Sequence, residues 1–296
     1  MGIETLISKE LNIDINYIYK IANYNDKYRR YKVKERVVYH PSRELKVLQY
    51  WVCNNIFSKF PISEFSMAYN KGNSIKRNAL HHKNSRYILH TDIEKFFENI
   101  NGAHIEQLFF NNKDIIDLNN NDIDLIKKIV LYNGKMLVTG SVSAPLISNC
   151  IMYSFDEKMY EIIKKMNYKY TRYSDDIIIS SSNYIDDEIL KYVSKLLSEF
   201  GFNINRTKTY FMNKSSNRRI TGITIDNNNN SLSLGCKKYK EIKKMIYEYL
   251  VKGLGDVDEI QGYLSFIKDI NLSKYESLKA IYIKYEKNRY LFPKSK

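Results

Sequence analysis

The sequence predicts an α+β fold, and three observations carry the prediction. Tyr170-Thr171-Arg172-Tyr173 and Ile177-Ile178-Ile179-Ser180 are rich in β-branched and aromatic residues on either side of Ser174-Asp175-Asp176, which spells a hairpin bending at two acids. Arg86 to Thr91 has the same strand character and delivers Asp92 just ahead of Ile93-Glu94-Lys95-Phe96-Phe97. Long stretches with helical periodicity fill much of the remainder, the longest from about Ala144 to Met166.

In chain order, residues 1 to 27 alternate around Leu6, Leu11, Ile15, Ile18 and Ile21 and read as two small helices. Arg29 to Tyr39 is a strand pair dense in cations. After His40-Pro41, Ser42 is placed to cap a helix whose face is Leu45, Leu48, Val52 and Ile56, with Trp51 beside it. Ala103 to Phe110 and Asp122 to Tyr132 read as helices joined by the polar loop Asn111 to Asn121. Ser143 is a candidate cap for the long helix, with Pro145 tolerated in its first turn. Ile189, Val193, Leu196, Leu197 and Phe200 mark a helix over Asp186 to Phe200 that Gly201 ends. Arg218 to Ile225 and Ser231 to Leu234 read as a hairpin turning at Asp226 to Asn230. Three helices follow, over Lys237 to Leu250, Asp256 to Ile267 and Lys274 to Asn288.

Composition bounds the function. The chain has 47 basic against 33 acidic residues, a formal charge of +14, which suits a polyanion such as a phosphate backbone. Abundant Lys, Asn, Ile and Tyr also fit a plain nucleotide-composition bias, so charge alone decides nothing. Cys53, Cys150 and Cys236 stand far apart without zinc spacing, and His81-His82 has no second cluster, which argues against a zinc enzyme. No apolar run reaches eighteen residues and Met1-Gly2-Ile3-Glu4 carries no signal pattern, so a cytoplasmic protein without a membrane partner is expected.

An Asp-Asp turn taken alone is as readily a solvated turn as a site. Asp92 changes the balance. Three carboxylates at strand ends can converge on two Mg²⁺ ions, hard cations that prefer oxygen ligands, as two-metal phosphoryl transfer requires. Asp92 and Asp175 would be the main ligands and Asp176 the auxiliary one.

Tyr173-Ser174-Asp175-Asp176 resembles the Tyr-x-Asp-Asp box of reverse transcriptases, and Asp92 with Phe97 resembles their first palm motif. Pro41-Ser42-Arg43-Glu44-Leu45-Lys46 with Leu48-Gln49 and Trp51, Asn78-Ala79 with His82, and Ile220-Thr221-Gly222 are similar to boxes of the retron-type bacterial enzymes. The resemblance implies a right-hand polymerase. N-terminal helices and fingers would span residues 1–85, palm 86–101, a helical insertion 102–140, palm with the hairpin 170–180 over 141–234, and an RNA-binding helical thumb 235–296. It implies catalysis by Asp92, Asp175 and Asp176, with the Ile93 backbone as a further ligand of Mg²⁺ or substituting Mn²⁺. Lys34, Arg36, Phe97, Gly140 and Lys208 would bind the dNTP, Phe97 as the steric gate against a 2′-hydroxyl. Asn78, Ala79, His82, Ile220, Thr221 and Gly222 would bind RNA, and Arg43 and Lys46 are candidate phosphate contacts. Thr139 and Ala144 depart from the Gln and Ser usual around Gly140 and Pro145.

The implied function is RNA-directed DNA synthesis on a cognate structured non-coding RNA that serves as both template and primer. The product would be short RNA-linked single-stranded DNA, made in antiphage defence alongside an effector protein. No endonuclease or maturase domain is read after the thumb. A template-independent abortive-infection polymerase and a non-catalytic RNA-binding scaffold are the alternatives.

Overall fold

A computed structural model describes residues 2–23, 27–34, 36–287 and 289–292; residues 1, 24–26, 35, 288 and 293–296, which the expectations above include, lie outside them. The elements in chain order are α1 (Ile3–Leu11), α2 (Ile15–Asn23), β1 (Tyr28–Val33), β2 (Arg36–Pro41), α3 (Arg43–Asn55), α4 (Ile75–His82), β3 (Tyr87–Ile93), α5 (Phe96–Asn99), α6 (Gly102–Asn111) and α7 (Asn120–Val130). Then come α8 (Ala144–Lys165), β4 (Lys169–Tyr173), β5 (Asp176–Ser181), α9 (Glu188–Glu199), β6 (Ile204–Asn213), β7 (Arg218–Ile220), β8 (Ile223–Ile225), β9 (Leu232–Ser233), α10 (Cys236–Tyr247), α11 (Val257–Ile270) and α12 (Leu272–Tyr282). The strands form a β1-β2 ribbon, a sheet of order β4-β5-β3-β6, and a β7-β8-β9 meander. The α+β class is observed.

The chain divides into two compact units. The first comprises Met1–Asn73, His90–Ile177 and Asp186–Thr209. Its N-terminal helices bury Ile3, Ile7, Ile18 and Ile21, and the Ile3 amide donates to Asp122 Oδ1 of α7 at 2.7 Å. Ser42 caps α3 as expected, its side chain accepting from the Leu45 amide at 3.2 Å. Buried in α3, Gln49 donates to the Tyr28 hydroxyl (2.8 Å) and the Ile129 carbonyl (3.1 Å), and accepts from the Ser141 hydroxyl and the Val142 amide (both 3.3 Å). Gln49 thus ties β1, α7 and the approach to α8 together.

The second unit comprises Ser74–Leu89, Ile178–Ile185 and Tyr210–Lys296. One of its cores gathers Ala79, Ile88, Ile178, Ile220, Ile223 and Ile225. The other lies among the C-terminal helices, on Ile242, Ile246, Ile260, Leu264, Ile267 and Leu278.

Four expectations need correction. Ser143 does not cap α8: its backbone is already helical (φ −82°, ψ −26°), a geometry from which an N-cap side chain cannot reach back, and its hydroxyl pairs with Ser141 instead. Arg218 to Ile225 is two strands rather than one, because Thr221 and Gly222 take left-handed φ of 43° and 87° and turn the chain tightly between β7 and β8. The last helix ends at Tyr282 and tightens into a 3₁₀ turn over Ile283–Tyr285. Ile75 to His82, given no element above, is α4, which Ser74 caps through the Arg77 amide at 3.1 Å.

Candidate active site

β3 is buried from Ile88 to Ile93, so its polar residues His90, Thr91 and Asp92 are enclosed rather than washed by solvent. In a strand, alternate residues share a face, and His90 and Asp92 are two apart. The hairpin of β4 and β5 turns at Ser174-Asp175, with Ser174 held at φ 59°, a left-handed conformation uncommon for a side chain of its kind. The Ile93 amide donates to the Asp175 carbonyl at 2.9 Å, and this bond sets Asp92 beside the turn. As a result Asp92, Asp175 and Asp176 each bring a carboxylate oxygen within 4.8 Å of the others.

Lys208 and His90 lean on this cluster. Lys208 Nζ of β6 donates to Asp92 Oδ2 at 2.8 Å, and that bond raises the lysine's pKa although nearby Arg36 opposes it. His90 Nε2 lies 3.0 Å from Asp176 Oδ1 and its Nδ1 lies 3.1 Å from the Lys208 carbonyl. With Asp176 ionised, both partners present acceptor oxygens to the ring nitrogens. Burial by itself would lower the His90 pKa; the Asp176 hydrogen bond and charge outweigh it and raise the value. At Asp175 a backbone hydrogen bond and the Lys208 charge favour the ionised form, but they are outweighed. Burial, and then the charge of Asp176, push its carboxyl up from 3.8 to about 6. Three convergent carboxylates, Asp92 buried and Asp175 and Asp176 half-buried, fit a hard divalent cation.

The other expected residues distribute unevenly. Lys34 and Arg36 are exposed on the β1-β2 ribbon. Phe96 is core, whereas Phe97 is half-buried on α5, four residues past the end-of-strand Ile93. At Gly140 (φ 98°) a Cβ would stand 2.5 Å from the Tyr39 carbonyl, so the close approach this glycine permits is to β2. The Thr139 carbonyl accepts from the Tyr39 amide at 2.8 Å in the same place. Arg43 and Lys46 lie on α3, where Lys46 Nζ meets His40 Nε2 at 2.9 Å.

The side chains of Asn78, Ala79, His82 and Ile220 are buried, each having 0% exposure. His82 Nδ1 pairs with Ser180 Oγ at 2.7 Å inside the second unit, so this box holds β5 from behind. Thr221 and Gly222 stay accessible and line a cavity of about 610 Å³ with Arg219, Lys237, Lys238 and Tyr263. Sequence reasoning missed His90, whose i,i+2 spacing from Asp92 was the available signal, and it gave Gln49 and Arg172 no role.

A protein-family model described as reverse transcriptase (RNA-dependent DNA polymerase) matches residues 26–225. The retron Ec86 reverse transcriptase of Escherichia coli is 30% identical over 271 residues, covering 88% of this chain and 82% of that one. The retron Ec73 reverse transcriptase of Escherichia coli is 32% identical over 264 residues, covering 83% of each. This chain belongs to the retron reverse transcriptases. It is an RNA-directed DNA polymerase, and the carboxylate cluster falls within the matched span. No helix among the described residues of this reverse transcriptase is long and apolar enough to cross a membrane.

Proposed function

We propose that this reverse transcriptase copies part of a cognate structured RNA into short single-stranded DNA that stays joined to the RNA, in the cytoplasm, as part of antiphage defence with an effector protein. The reading is supported by the retron relatives and by the convergence of Asp92, Asp175 and Asp176, the single observation that carries the chemistry. In it, these three acids and the Ile93 carbonyl would hold two Mg²⁺ ions, for which Mn²⁺ could substitute, and the pair would supply charge neutralisation at the attacking hydroxyl and the leaving pyrophosphate.

The chain's own groups do the rest. The buried β3 and the backbone bond from Ile93 keep the carboxylates where the cations are needed, without reorganisation at the moment of reaction. Lys208, with Lys34 and Arg36 of the ribbon, takes up the triphosphate, and Phe97 and Gly140 shape the dNTP site, Phe97 excluding a 2′-hydroxyl. Thr221 and Gly222 meet the cognate RNA at the cavity that Arg219, Lys237 and Lys238 make basic. The fingers, palm and thumb division at residues 85, 101, 140 and 234 belongs to the same reading.

The test is purification from cells carrying the native flanking DNA, then sequencing of the co-purifying nucleic acid, with the Asp175→Ala, Asp176→Ala double variant as control. Short DNA covalently joined to RNA, absent in the control, is the expected result. DNA with no RNA complement, or bound RNA without DNA in both samples, overturns the reading.

A further inference from the structure

Behind the Ser174-Asp175 turn lies a charged network sealed from solvent. Arg172 of β4 and Asp156 of α8 both have 0% side-chain exposure and pair through both edges, Nε to Oδ1 at 2.8 Å and Nη2 to Oδ2 at 2.7 Å. The Tyr170 hydroxyl donates to the same Asp156 Oδ1 at 2.6 Å, and Arg172 Nη2 also reaches Asn149 Oδ1 at 3.3 Å. One guanidinium nitrogen points elsewhere: Nη1 donates to the Ser174 carbonyl at 3.0 Å.

Stability alone is a poor reason for such a network. Taking two charges out of water costs about as much as their attraction returns, and apolar residues of similar size often serve a core as well or better. What apolar residues could not do is hold a backbone carbonyl. Ser174 is the residue with the left-handed φ of 59°, a conformation that persists only where its surroundings enforce it. The carbonyl that Arg172 grips belongs to the peptide linking Ser174 to Asp175. On the strand side, β4 is anchored in turn, since the Arg172 amide donates to the Phe65 carbonyl (2.9 Å) and its carbonyl accepts from the Met67 amide (2.7 Å).

We infer that Arg172, fixed by Asp156, is a positioning residue for the polymerase reaction: it locks the strained Ser174-Asp175 turn so that the Asp175 carboxylate converges with Asp92. Tyr170 belongs to the network without touching the turn and is structural. The inference rests on the reading of the three acids as metal ligands.

The experiment compares Arg172→Lys, Asp156→Asn, Tyr170→Phe and Asp175→Asn with the wild type, in full-length protein with its RNA for turnover and without nucleic acid for metal binding. Lysine keeps the charge but cannot hold Asp156 by two edges and Ser174 by a third. Below the unfolding temperature of each variant, Arg172→Lys should lower kcat by about 10- to 100-fold with the KM for dNTP changed less than about twofold, the pattern of a misplaced group rather than lost binding. Its affinity for Mn²⁺ alone, read from the free-ion electron paramagnetic resonance signal, should weaken by about fivefold or more. Asp156→Asn keeps one bond to the guanidinium and should fall between, which also carries the test if Arg172→Lys does not fold. Tyr170→Phe should lower Tm yet leave kcat and Mn²⁺ affinity within about twofold. Adding Ser174→Gly to Arg172→Lys should restore part of kcat, because glycine adopts the turn unaided.

Unchanged kcat and Mn²⁺ affinity in the folded Arg172 and Asp156 variants, or an equal loss in Tyr170→Phe, would overturn the inference. An active Asp175→Asn enzyme would instead overturn the assignment of the acids, so the two failures are told apart.

Discussion

Replacing Lys208 by alanine should tighten metal binding and weaken nucleotide binding, two effects of opposite sign from one residue. Without nucleotide, Lys208 Nζ sits 2.8 Å from Asp92 Oδ2, where it competes with any cation for that carboxylate. The lysine side chain is 49% exposed and the aspartate 5% exposed, so the pair is screened from one side only. Exposed ion pairs are worth about 0.2–1 kcal/mol, and the enclosed carboxylate places this one toward the upper end, about 1 kcal/mol or roughly fivefold in Mn²⁺ affinity. The same substitution deletes a cation from the proposed triphosphate site, so the KM for dNTP should rise. Mn²⁺ titration of the nucleic-acid-free protein reads the first effect and steady-state primer extension the second. Raising the salt should shrink the gain in Mn²⁺ affinity, since mobile ions screen the partly exposed lysine. Mn²⁺ affinity that is unchanged or weaker in Lys208→Ala would refute the reasoning, because it would mean that Lys208 helps to assemble the cation site.

Other outcomes follow from the same geometry. The Asp175 carboxyl has a folded-state pKa of about 6 against 3.8 ordinarily, so the folded chain binds more protons than the unfolded one between those values and loses stability as pH rises through them. Asp175→Asn should therefore be inactive yet more stable than metal-free wild type by about 1–3 kcal/mol at pH 7, with the gain gone near pH 4; denaturant melts at the two pH values check it. Gln49→Met fills the same space but strands the Ile129 carbonyl and the Val142 amide, at about 1–3 kcal/mol each, so a loss of about 2–6 kcal/mol is expected, and under 1 kcal/mol would mean that water or a backbone shift takes over. Phe97→Ala should admit ribonucleotides, read as a rise of about tenfold or more in relative rNTP incorporation; unchanged discrimination would remove Phe97 from the gate.

The elements were legible in the sequence where a single local rule governs them. The β4-β5 hairpin, the cap at Ser42 and the helices α6 to α9 announce themselves by periodicity, capping chemistry or flanking glycine. The three acids were legible because strand ends carry them. The split of Arg218 to Ile225 was not, since Thr221 is β-branched and its left-handed φ of 43° comes from the turn it shares with Gly222, not from its own preference. The surroundings of the polar residues in the family boxes were not legible for another reason. On a helix, a polar side chain at a given spacing can face solvent, a ligand or a buried partner, and only the fold decides which. His82 and Gln49 prove to be buried and hydrogen-bonded, so these boxes shape the scaffold at those positions.

That finding bears on how the site is built. Burial and then the Asp176 charge raise the Asp175 pKa, and the repulsion among the carboxylates would not keep such a cluster assembled unaided. The restraint comes from outside the cluster: the Ile93 amide on the Asp175 carbonyl and His90 on Asp176. Each restraining group lies in or beside a strand that also carries a carboxylate or its neighbour, so the sheet itself sets the spacing. A cation that enters must then displace or share only Lys208 and His90, which are side chains, while the backbone bond at Ile93 stays in place. The electrostatic cost of gathering three carboxylates is in this way borne by the fold, and the Asp175→Asn and Lys208→Ala measurements probe that cost from opposite sides.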